Sequence, residues 1–138
     1  SGILCENGIC VDEFQRTVDP DIIAIGDCTR FPSKRFGRNV RLECVQNAFD
    51  QAKAAANNLL GKREAYDPVP WFWSDQYDAK FQSAGLAEGH DEMQVIGDTA
   101  IGHFSVEYRR AGMLIAVDAV NDARAYMLGR KRITQETA

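Results

Sequence analysis

The chain has 138 residues, with 16 Lys+Arg against 20 Asp+Glu and a formal charge of -4. That length fits one domain and suffices to bury a real core. Apolar residues make up 45% and charged residues 26%, which excludes global disorder. The mildly acidic balance argues against nucleic acid as the main partner.

No apolar run approaches the ~18 residues of a membrane-spanning helix. The amino end has neither the basic region nor the apolar core of a signal peptide. It also has no initiator Met, so Ser1 is either a tag remnant or a point inside a longer gene. Cys5, Cys10, Cys28 and Cys44 form no C-x-x-C pair, and His90 and His103 lie far from them. A zinc site or dithiol centre is therefore not expected, and free thiols in the cytoplasm are.

In chain order, residues 1–20 read as short strands and turns. Pro20 pushes Asp19 out of helical space. Residues 22–25, Ile-Ile-Ala-Ile, read as a fully buried central strand ending at Gly26-Asp27-Cys28. Residues 29–41 hold Pro32, Gly37 and five basic residues, Arg30, Lys34, Arg35, Arg38 and Arg41, and read as a loop. A helix is predicted over 44–60. Its apolar stripe is Val45, Ala48, Phe49, Ala52, Ala55, Ala56, Leu59 and Leu60, with Gly61 as its stop. The small residues predict that this stripe lies close against a sheet.

Residues 61–70 predict a boundary, giving 1–64 and 65–138 as two portions. Trp71-Phe-Trp73 opens an aromatic cluster, more often core than ligand wall. Strands are predicted near 78–85, 92–96, 104–109 and 113–120, the third by its period-2 alternation. Asn121 or Asp122 caps a last helix to about residue 132. The expected class is α+β.

Four features bear on chemistry. Asp27 follows a strand and a glycine, where ligands gather in open α/β sheets; the plainer reading is a local turn residue. The amino end of the 44–60 helix favours an electron-rich group, or is an ordinary helix start. Trp73 could wall a flat ring. The basic loop could steer an acidic protein, or is simply solvated. The two histidines are given no role. No G-x-G-x-x-G, P-loop or G-x-S-x-G is present.

Taken together, residues 17–28 (TVDPDIIAIGDC) resemble the second FAD-binding motif of the pyridine nucleotide–disulfide oxidoreductases. Residues 41–52 (RLECVQNAFDQA) and 69–78 (VPWFWSDQYD) are similar to the bacterial NAD(P)H-dependent ferredoxin reductases that serve P450s and ring-hydroxylating dioxygenases. Apoptosis-inducing factor is a more distant relative. The tail resembles that family's C-terminal reductase domain.

The resemblance implies the end of an FAD-binding α/β domain (1–64) followed by a small C-terminal domain of antiparallel strands and a terminal helix (65–138). It implies that the amino-terminal FAD and NAD portions lie outside this chain. Asp27 would bind the ribityl chain of FAD, and Gly26 would also be a cofactor-binding residue. The helix start at Cys44-Val45-Gln46 would face the flavin's pyrimidine edge, and Trp73 would stand beside the isoalloxazine. Cys44 stands where relatives commonly carry Ser. NAD(P)H would be the donor, bound by a part absent here. The partner would be a small acidic ferredoxin-type iron–sulfur protein, met by Arg30, Lys34, Arg35, Arg38 and Lys53. The isolated chain is expected to be inactive. Alternatives are a dimerising or docking module without flavin, or a reductase for rubredoxin or another acceptor.

Overall fold

The computed structural model describes residues 2–136. They form two compact units, Ser1–Pro68 and Val69–Ala138.

In the first unit, β1 (Ile9–Cys10) pairs parallel with β2 (Thr29–Ser33), and β2 pairs antiparallel with β3 (Arg38–Val40). Residues 29–41, expected to be a loop, are thus mostly a hairpin. Thr29, Phe31 and Ser33 point inward while Arg30 and Pro32 take the half-exposed positions. The density of positive charge masks this alternation in the sequence. Asp67 fastens the turn, accepting from the Ser33 hydroxyl at 2.5 Å and from the Lys34 and Arg35 amides at 3.0 Å each.

The buried strand expected at 22–25 is not formed. Only Ile23 is bridged, to Arg16. The chain folds back at Asp19–Pro20, where the Ile22 amide donates to the Asp19 carbonyl at 3.1 Å. Residues 15–17 and 22–24 then run side by side as a ribbon too narrow to cover both faces. Ala24 is buried, but Ile22 and Ile25 remain 39% and 40% exposed.

Helix α1 (Val45–Leu59) forms as expected, and Gly61, at φ 85°, ends it by donating to the Asn58 carbonyl. Its orientation is the reverse of the expectation. Gln46, Asn47, Gln51, Ala55 and Asn58 are buried, while Val45, Phe49, Leu59 and Leu60 are 65–78% exposed. Hydrophobic periodicity locates a helix but not which face its own chain covers.

The buried amides of Asn47 and Asn58 are satisfied by specific partners. Asn47 Nδ2 donates to the Leu42 carbonyl at 3.0 Å, and its Oδ1 accepts from the Tyr66 hydroxyl at 3.1 Å. Asn58 bonds the backbone of Glu64 at both its N–H and its carbonyl, and donates to Gln15 Oε1. Tyr66 lies edge-on to Phe31 with ring centroids 5.1 Å apart.

The second unit is one antiparallel sheet of order β4-β5-β8-β7-β6. Its strands are β4 (Trp71–Gln76), β5 (Ala79–Gly85), β6 (Glu92–Asp98), β7 (His103–Arg110) and β8 (Met113–Val120). The aromatic cluster at 71–73 is therefore the start of a strand. Helix α2 (Ala123–Glu136) is capped by Asp122, whose Oδ1 accepts from the Ala125 amide at 2.9 Å. It packs on the sheet through Tyr126 and Ile133, against Val69, Ala84, Leu114, Val117 and Ala119. The expected α+β class is the one observed. No helix among the described residues is long and apolar enough to cross a membrane.

Gly129 sets how closely α2 approaches β8. A Cβ there would lie 2.6 Å from Val117 Cγ1. Gly129→Ala should therefore destabilise the second unit by about 1–3 kcal/mol, read as an earlier midpoint in urea. In the first unit, burial holds the Tyr66 phenol well above its ordinary value, aided by the neighbouring Asp50 and Cys44. The unfolded chain releases that proton at about pH 10, the folded chain later. Stability is thus full below pH ~10 and falls above it. A denaturation series in alkali should show this loss, and Tyr66→Phe should remove it.

Candidate functional site

The turn after residue 25 is held from below by α1. Gly26 is buried at φ 82°, a left-handed conformation that favours glycine. Its amide donates to Gln51 Oε1 at 2.6 Å, and the Thr29 hydroxyl lies 2.9 Å from the same oxygen. Thr29 also bonds the Gly26 carbonyl through its hydroxyl at 2.8 Å and its amide at 3.0 Å. A Cβ on Gly26 would lie 4.0 Å from Ala48 Cβ, so this turn sits on the first half of α1. The Arg41 guanidinium donates to the Asp27 carbonyl at 2.9 Å.

These contacts fix the backbone and leave the Asp27 side chain outward. Asp27 is exposed, and its carboxylate makes no hydrogen bond among the described residues. It is free to accept from hydroxyl donors. Gln51 Nε2, fully buried, has no partner among the described residues.

The start of α1 lies in the same unit. Cys44 is the N-cap, extended at φ -158°, and its side chain makes no capping bond. The first turn carries no acid. The leading amides of a helix lack intrahelical acceptors, so this end keeps its donors and its partial positive charge. Val45 is the first helical residue and is 65% exposed. The fold thus brings together Gly26, Asp27 and the α1 start, with Gln51 as the link that the sequence reading overlooked. Its signal was a glutamine seven residues, about two turns, into the helix after Cys44, which the apolar stripe assigned to the outer face.

Trp73 belongs to the second unit. It shares one face of β4 with Trp71, their ring centroids 5.7 Å apart, and is 43% exposed. Trp71 receives Arg130 over its ring at 5.2 Å.

The basic residues lie on the β2–β3 hairpin and on α1. Arg30 on β2 pairs with Glu6 at 2.6 Å, and Arg41 with Glu43 at 2.8 Å. Lys34 is exposed in the hairpin turn beside the half-buried Arg35, Arg38 is exposed on β3, and Lys53 is exposed on α1. All four cysteines are free thiols. No cluster of metal-ligating side chains exists among the described residues.

The second unit and its closing helix define the chain as reductase-like at its carboxyl end. Residues 71–138 match the Reductase C-terminal family. The ferredoxin reductase subunit of 5,5'-dehydrodivanillate O-demethylase from Sphingobium sp. is 49% identical over 133 residues, covering 95% of this chain and 32% of that protein. The reductase in the covalent putidaredoxin reductase–putidaredoxin complex is 41% identical with a TM-score of 0.92, over 98% of this chain and 32% of that one. The ferredoxin reductase for the CYP199A2 system from Rhodopseudomonas palustris is 43% identical with a TM-score of 0.89, over 99% and 36% respectively. Along its whole length the chain is similar to ferredoxin reductases, and it spans about a third of the length of these relatives.

Gln51→Leu should leave the Gly26 amide without its acceptor, while the Thr29 hydroxyl keeps the Gly26 carbonyl. Such a loss costs about 1–3 kcal/mol. Amide hydrogen exchange at Gly26 should accelerate while exchange in the second unit stays unchanged.

Proposed function

We propose that this chain forms the carboxyl-terminal third of a flavin-dependent reductase carrying electrons from NAD(P)H through FAD to a ferredoxin-type iron–sulfur protein. That protein would in turn serve a P450 or a ring-hydroxylating dioxygenase. The observation that carries the reading is the Gly26–Asp27 turn tied by Gln51 to α1, a helix whose N-cap residue makes no side-chain capping bond.

The residues present fit FAD. A buried glycine lets the backbone approach closely, an outward carboxylate can accept ribityl hydroxyls, and an acid-free helix start can meet an electron-rich ring edge. FAD, when bound, supplies the conversion of a two-electron donor's equivalents into single electrons. Asp27 binds and orients the ribityl chain. The Val45 amide donates to the pyrimidine edge, and the end of α1 favours negative charge there. Cys44 in place of Ser changes little, since the contact is through backbone. Trp73, in the second unit, has a half-exposed aromatic face of the kind that can wall a flat ring.

Arg30, Lys34, Arg35, Arg38 and Lys53 steer the acidic partner. The exposed apolar stripe of α1 is covered by the amino-terminal FAD portion, and NAD(P)H is held by a further portion in the same part of the protein. The setting is cytoplasmic. The same stripe also suits a second copy of the chain, which supports a dimerising module as the second reading.

Asp27→Ala in the full-length protein should weaken FAD binding by about tenfold, the worth of one hydrogen bond to a charged group. Flavin fluorescence of ultrafiltrates reads it. Unchanged retention removes Asp27 from the site. The 138-residue chain with added FAD should not oxidise NADH; turnover by it overturns the fragment reading. Light scattering of the same sample separates a stable dimer from a monomer.

A further inference from the structure

One small cavity in the first unit is not used by any of this chemistry. It has a volume of about 60 Å³ and is lined by Phe14, Arg16, Asn58 and Arg63. Two of its four lining residues are arginines. Neither guanidinium forms an ion pair among the described residues. Arg63 rests over the Phe14 ring at 5.6 Å, which orients its planar group without neutralising it.

The backbone is shaped to bring these side chains together. Arg63 has φ 52° and Gln15, between Phe14 and Arg16, has φ 65°. Non-glycine residues reach this left-handed region only when their surroundings impose it. Here the imposing group is Asn58, buried on α1. Its Oδ1 accepts from the Glu64 amide at 2.7 Å, and its Nδ2 donates to the Glu64 carbonyl at 3.0 Å and to Gln15 Oε1 at 3.3 Å. One side chain therefore holds both strained segments, the one carrying Arg16 and the one carrying Arg63. The Tyr66 amide adds a second tie by donating to the Glu13 carbonyl at 2.9 Å.

Two of the nearby acids, Asp12 and Glu64, are engaged elsewhere. Asp12 Oδ1 accepts from the Phe14 and Arg16 amides at 2.9 Å each. Glu64 Oε2 accepts from Asn57 Nδ2 at 2.8 Å. Two positive forks thus face a space that admits a few water-sized groups and is far too small for a nucleoside.

We propose that this cavity is an oxyanion site, sized for a single phosphate or carboxylate group held by the forks of Arg16 and Arg63. Planar guanidinium groups match such anions with paired hydrogen bonds. The two residues that complete the cavity have supporting parts. Phe14 positions Arg63, and Asn58 positions both segments without offering a free donor of its own.

The test is a titration of the protein with inorganic phosphate, followed by the guanidinium N–H signals in NMR. Acetate and chloride at matched ionic strength are the other arms. Saturable shifts of Arg16 and Arg63 with phosphate or acetate support the site, and the tighter of the two names the anion class. Arg16→Gln and Arg63→Gln should each weaken binding by about tenfold. Both side chains are exposed, so the fold should survive, and an unchanged far-ultraviolet spectrum checks it. Lys62→Gln, outside the cavity, should leave the affinity unchanged. Absence of saturation, equal shifts with chloride, or affinity unaltered in both arginine variants overturns the proposal.

Discussion

The first unit depends on a helix laid with its polar side inward. A buried amide side chain is costly unless every donor and acceptor finds a partner. Along α1, Asn47, Gln51 and Asn58 each meet a different part of the chain: the approach to the helix at Leu42, the turn at Gly26, and the loops at Gln15 and Glu64. These are directional contacts. They fix positions and angles that apolar packing would leave adjustable. The sharp Gly26–Asp27 turn and the left-handed Arg63 both follow from amides that accept only one geometry.

The second unit is assembled on different physics. Its centre is β8, buried along Leu114 to Val117, with a strand hydrogen-bonded on each side and α2 laid across one face. Polar groups sit at its margin, where Glu107 joins Arg109 and Arg132. Apolar burial of this kind is roughly proportional to area and indifferent to direction. The unit is therefore stabilised by shape, as the close approach at Gly129 illustrates.

This contrast explains what was legible in the sequence. The strand near 104–109 was readable from its alternation, the strand near 113–120 from its continuous apolar run, and helix α2 from its capping residue, whereas the strand near 92–96 forms at an edge with all its residues exposed. Helix α1 was equally readable in extent, from its 3.6-residue rhythm and Gly61. Its inward face was not, because periodicity is symmetric between the two sides of a helix. Residues 22–25 failed for a related reason: four apolar residues specify burial, but no second neighbouring segment covers them here, so Ile22 and Ile25 stay exposed. The hairpin at 29–40 was hidden by arginines on its outward positions and by Pro32. The Asp27 turn and the helix start were readable from their motifs. The Gln51 link was not, since a glutamine on an amphipathic helix has no signature of its own.

The separate core of the second unit has a consequence for how such proteins can change. A segment that carries its own buried centre can be cut and rejoined at Val69 with its interior intact. A reductase could then exchange this part with that of a relative by recombination. The first unit, whose buried amides are matched to particular loops of its own chain, has no such freedom and must be inherited whole.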